Sequence, residues 1–134
     1  MMRNEKGDNM TLIEYVEKLC EDLTTLKNEE WSHCAEAGAY YGFKEGRKYI
    51  KVISYDDAAG GGASVWGFIN KSNPKFLEGD VLLAAGWATP ATNHARGNLI
   101  NPGYNPLNMG RRFMYGPGYC SGTYPGTKRD GSFV

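Results

Sequence analysis

The run TLIEYVEKLCEDLTTL, residues 11 to 26, does most to limit what this chain can fold into. Leu12, Val16, Leu19, Leu23 and Leu26 recur at three- and four-residue steps, which in a helix gathers them into one apolar stripe. Thr11 followed by Glu14 makes a capping-box pattern, in which each side chain takes a backbone N–H left open at the helix start. A second helix is predicted over 29–41, EEWSHCAEAGAYY, with Trp31, Cys34, Ala37 and Tyr41 on one face and Gly42 placed to end it. The helical region therefore spans 10–42, behind a flexible lead-in at 1–9.

The pattern changes at Gly46. RKYIKVISY is rich in β-branched and aromatic residues and reads as a strand. DDAAGGGA breaks it, and SVWGFIN follows as the second arm of a hairpin. Period-two alternation puts Val65, Gly67 and Ile69 on one face and Trp66 and Phe68 on the other. KSNPKF is a turn, and GDVLLAAG starts a third strand. The expectation is an α+β fold: two N-terminal helices packed on an antiparallel sheet that occupies 46–100. Residues 101–134 carry Gly or Pro every few positions, yet also Tyr104, Phe113, Tyr115, Tyr119, Tyr124 and Phe133. A disordered tail is usually poor in aromatics. This segment is therefore expected to be an ordered, irregular extension that wraps its own domain or a neighbouring subunit. The 134 residues read as one domain.

Charge and cysteine content narrow the function classes. Lys+Arg and Asp+Glu both number 15, so the formal net charge is zero, a poor basis for indiscriminate duplex-DNA binding, which depends on neutralising phosphates. Cys20, Cys34 and Cys120 are odd in number and show no CxxC spacing, which fits a reduced protein without a disulfide framework or a zinc site. The polar MMRNEKGDN start carries no apolar core of a signal peptide, and no apolar run is long enough to cross a membrane.

Common catalytic signatures are missing. The GGG at 60–62 has no following Lys-Ser/Thr, so it is not a phosphate-cradling loop. There is no GxSxG elbow. Asp56 and Asp57 are adjacent and read as turn residues, since neighbours on an extended strand point to opposite faces. His33 and His94 lack an evident nucleophile to serve. No cofactor is implied.

Binding chemistry is better represented. Aromatic faces stack on flat rings, amides read ring edges, and Arg, Lys and backbone N–H groups hold phosphates. Arg47 and Lys48 lead into the first strand, and Trp66 and Phe68 lie in the second. Trp87, Asn93, Arg96 and Asn98 cluster in GWATPATNHARGN, and Arg111 and Arg112 stand beside Phe113 and Tyr115. Pro90 cannot donate to a sheet ladder and biases Thr89 towards extended backbone, so the chain is expected to leave the sheet near Thr89. The residues beyond it form either a ligand-binding loop or a structural one, in which Asn93 and Asn98 fix turns and Arg96 pairs with a carboxylate.

GRKYIKVI, SVWGFIN and FLEGDVLLAAGWATPATNHARGN, over residues 46–98, resemble a group of small proteins encoded by tailed phages and prophages. These share a GRKY-type strand, an SVxxFV-type strand and a GDVxKAAxWxAPAxxxARGN-type segment. The chain also resembles the phage anti-Thoeris sponges, which sequester the cyclic ADP-ribose signal of a bacterial defence system without degrading it. That resemblance implies a non-catalytic homo-oligomer in the host cytoplasm that captures a small cyclic nucleotide signal at a subunit interface. It gives Trp66 or Phe68 a stacking role, Asn93 a contact to base or ribose, and Arg96 with Arg111 or Arg112 the phosphates. Leu83 departs from the Lys of the pattern, and ATPATNH replaces a more basic run. The rival readings are a virion decoration or assembly protein docking through its C-terminal segment, and a small nucleotide-acting enzyme using His94.

Overall fold

The computed structural model describes residues 10–93 and 95–100. The expected lead-in at 1–9 and extension at 101–134 lie outside the described residues. Helix α1 runs Leu12–Glu30 and begins as its sequence predicts: Glu14 N donates to Thr11 Oγ1 at 3.2 Å, and Thr11 N donates to Glu14 Oε1 at 2.9 Å. A short α2, Ser32–Ala37, follows after Trp31, whose extended backbone separates the two. Five strands come next, β1 Tyr40–Glu45, β2 Tyr49–Tyr55, β3 Ser64–Asn70, β4 Asp80–Leu82 and β5 Gly97–Asn98. They pair antiparallel in chain order, β1-β2-β3-β4-β5. The protein is thus α+β, with two helices and a five-stranded antiparallel sheet among the described residues.

Two elements depart from the sequence reading. The second helix does not reach residue 41. Gly38 takes the left-handed conformation (φ 81°) and ends α2, and the aromatic run from Tyr40 enters the sheet as an edge strand. The sheet therefore begins at 40, not 46. Alternation in β3 also fails. Ile53 pairs with Val65 but Val52 pairs with Gly67, so Trp66 is the extra residue of a bulge. The bulge turns Trp66 and Ile69 to the helix side, where they join the main core, while Val65 and Phe68 face the other way. Trp66 and Phe68 do not share a face.

The main core is the α1 stripe on the sheet. Val16, Leu19, Cys20 and Leu23 pack with Tyr41, Ile50, Val52, Trp66, Ile69 and Val81. A hydroxyl fastens the helix to the edge strand: Thr24 Oγ1 donates to Cys20 O at 2.7 Å and accepts from Tyr41 N at 2.9 Å. Helix α2 contributes no buried residue. On the opposite face Phe68, Phe76, Leu82 and Ala95 form a smaller cluster.

Leu23 has no solvent exposure. Leu23→Ala should cost about 2–5 kcal/mol in urea unfolding, the range for a buried leucine that leaves a cavity. Cys20 shares the buried face of α1. Burial, with the negative charges of Glu17 and Glu21 on the same helix, pushes its pKa up to about 12. The unfolded chain ionises this thiol near its ordinary pKa of about 8.5–9. Above that pH the unfolded state releases a proton that the folded state keeps. The contribution is whole below about pH 9 and falls by about 1.4 kcal/mol per unit as pH rises towards the folded value. Alkaline unfolding of the wild type should show this loss, and Cys20→Ala should lack it.

Candidate functional site

The stripe on α1 does not end in an apolar residue. Continuing from Leu23 by four positions, it reaches Lys27, 9% exposed, while Leu26 beside it is only partly buried. The Lys27 ammonium lies at the hairpin end of the sheet. Its Nζ donates to Ser54 Oγ at 3.0 Å, sits 5.4 Å from the Tyr41 ring centroid, and lies 3.6 Å from Asp56 Oδ1. An ammonium has three donor hydrogens, and among the described residues one is satisfied by a hydrogen bond.

This group borders a cavity of about 200 Å³. Trp31, Tyr41 and Trp66 supply aromatic lining, Ser54 and Ser64 supply hydroxyls, and Asp56 and Val65 complete it. Each comes from a different local device. The break between α1 and α2 sets Trp31, the edge strand presents Tyr41, the bulge presents Trp66, and Ser54 and Ser64 are cross-strand partners at the hairpin base. Flat rings flanking a buried cation can hold a planar ligand that carries an anion. The volume is below the roughly 300–1,000 Å³ of pockets that enclose a whole drug-sized ligand. It accommodates one ring and its attached charged group.

The residues expected to form one site are dispersed. Trp66 lines this cavity. Phe68 is buried on the opposite face, edge-on to Tyr49 at 6.2 Å. Lys48 is exposed in the β1–β2 turn, about 20 Å along β2 from Ser54 at strand rise. The chain leaves the sheet at Leu82, not near Thr89, and a bridge between Ala84 and Pro90 closes a projecting loop. Pro90 needs no N–H there, because Ala85 N donates to Thr89 O and Ala91 N to Leu83 O. Trp87 tops this loop, 51% exposed, with Lys51 Nζ 4.1 Å from its ring centroid. Asn93 is exposed and engaged in an interaction of its own. Arg96 is half-buried; its Nε is buried with no hydrogen-bond partner among the described residues.

Asn98, a candidate ligand group in the sequence, is built into a hydrogen-bond network of the sheet. It is 5% exposed, and its amide donates to Glu78 O at 3.0 Å and Asp80 Oδ1 at 2.8 Å. Its oxygen accepts from Ile100 N at 2.8 Å. Arg111 and Arg112, like His94, lie outside the described residues.

The model of one family, described as a family of unknown function, DUF7717, matches residues 1–109. The chain belongs to DUF7717. No curated protein and no solved structure matches it. The family match spans every element that builds the cavity. Among the described residues no helix is long and apolar enough to cross a membrane, and no cluster of His, Cys, Asp and Glu is placed to hold a metal ion.

Sequence reasoning missed Lys27, Trp31, Tyr41, Ser54, Asp56 and Ser64. One signal was present: Val16, Cys20, Leu23 and Lys27 keep the three- and four-residue spacing, so a lysine stands in register with the core.

Asn98→Ala should cost about 1–3 kcal/mol in chemical unfolding, because Asp80 loses a buried partner. Any binding at the Lys27 cavity, measured by calorimetry, should be unchanged, since the network lies at the opposite end of the sheet.

Proposed function

We propose that this member of DUF7717 is a non-catalytic binding protein that captures a small nucleotide-type signal, seating a planar base and an adjacent anionic group in the Lys27 cavity. The observation that carries the reading is the buried Lys27 ammonium, bordered by Trp31, Tyr41 and Trp66 and only partly neutralised by a carboxylate 3.6 Å away. Removing an ammonium from water costs several kcal/mol unless it is paired. A phosphate oxygen within hydrogen-bond reach of Nζ supplies the missing pairing, and stacking on the rings adds to it. Hydrolysis would need a base and an activated nucleophile beside the ligand. Among the described residues the lining offers two serines, a lysine, a tyrosine and an aspartate, with no histidine or thiol.

The chemistry fits the cyclic ADP-ribose class, in which a base, sugars and phosphates are compact. A cavity of this size receives one end of such a molecule. The remainder would lie at the mouth, where a second copy of the chain would enclose it, as expected for slow release from a homo-oligomer in a host cytoplasm. A second reading rests on Trp87. A half-exposed indole on a projecting loop suits docking on another protein, as in a virion component.

Purified protein incubated with a panel of nucleotide signals, washed and heat-denatured, should release one compound intact. A chemically altered compound would mean an enzyme. Recovery of the protein in purified particles, with no nucleotide released, would mean a virion component. Lys27→Met should weaken capture about 10- to 100-fold by calorimetry, the equivalent of about 1.5–3 kcal/mol for a charged hydrogen bond. Phe68→Leu, on the other face, should not.

A further inference from the structure

We propose that Asp56 is an exchangeable counter-ion, which covers Lys27 while the cavity is empty and gives way to the anionic group of an incoming ligand. This rests on reading the Lys27 cavity as a ligand site, and it defines the ligand by charge: a planar ring bearing phosphate or carboxylate, rather than its neutral analogue.

Three observations carry it. The two partners are unequally buried, with 11% of the Lys27 side chain exposed against 69% of Asp56. Their 3.6 Å separation is well beyond the 2.7–2.9 Å of a charge-assisted hydrogen bond. A largely hydrated carboxylate at that distance gives weak, screened compensation and loses little by turning away. Finally, the hairpin rather than Lys27 fixes where Asp56 stands. Asp56 N donates to Gly61 O at 2.8 Å, and the Asp56 carboxylate packs over Gly62 so closely that a Cβ there would collide with Oδ2. Gly62 also has φ +63°, a conformation glycine adopts without strain. Among the described residues no hydrogen bond holds the Asp56 carboxylate. The tight DDAAGGG connection thus delivers one acid to the rim of the cavity and leaves its side chain able to rotate into solvent.

A ligand oxygen entering from the mouth makes a direct hydrogen bond to Nζ that Asp56 does not. It also repels the carboxylate. A neutral ligand does neither, so it must share the cavity with Asp56 still in place.

The test is calorimetric titration of full-length wild type, Asp56→Asn and Lys27→Met with adenosine 5′-monophosphate and with adenosine. The exchange predicts that Asp56→Asn binds the monophosphate about two- to fivefold more tightly, the equivalent of one weakly held ion pair, and binds adenosine as the wild type does. Lys27→Met should lose the preference for the monophosphate. Equal gains for both compounds, or unchanged or weaker binding of the monophosphate by Asp56→Asn, would overturn the exchange and leave the cavity as a ligand site. Failure of the wild type and Asp56→Asn alike to bind the monophosphate would remove the site itself, and the exchange with it.

Discussion

Lys27 occupies the point at which the apolar stripe of α1 meets the loop end of the β2–β3 hairpin, and its burial couples helix, sheet and cavity. A buried ammonium needs partners from more than one element. Here Ser54 comes from β2, Asp56 from the hairpin and Tyr41 from β1. An apolar residue in its place would pack against the same surroundings and close the core. The lysine instead keeps that end of the core polar. Stability alone does not favour such an arrangement, since a buried ion pair is often no better than a well-packed apolar substitute.

The bulge at Trp66 is the second constraint. Without it, regular alternation would put Trp66 and Phe68 on one face, either sending Trp66 out of the helix-facing core or pulling Phe68 into it. One extra residue resolves this by letting both large rings bury on opposite faces. It supplies the aromatic wall of the cavity and the centre of the second cluster together. The Trp87 loop and the Lys27 cavity answer to opposite faces of the sheet.

The fold was legible where a local rule acted alone. The capping box, the α1 stripe, the hairpin and the turn role of Asp57, whose Oδ1 accepts from Ala59 N and Gly61 N, all follow from short-range chemistry. Reading failed where two rules competed. EEWSHCAEAGAYY holds a helical face and a β-forming aromatic run, and Gly38 decides between them. Asn98 looks like a ligand amide, because its partner Asp80 lies eighteen residues away and only the β4–β5 pairing brings the two together. The cavity was illegible for the same reason: its lining spans residues 27 to 66, and nothing local announces that Ser54 and Ser64 become neighbours.

The two ends of the cavity differ in how they are held. Its floor is set by residues that also build the core, Tyr41 and Trp66, and by Lys27, buried at the end of the α1 stripe. These cannot shift without disturbing the packing that stabilises the sheet. Its rim is a glycine-rich connection in which Asp56 and Ser64 are exposed. For the ligand proposed, a rigid floor means that the rings and the ammonium are oriented beforehand, so little of the binding free energy is lost to ordering them. A hydrated rim means that admission is governed by groups that move cheaply. On the proposed exchange, preference for anionic ligands resides in the buried Lys27 ammonium, and the exposed Asp56 carboxylate is the weakly held counter-ion that an entering anion displaces.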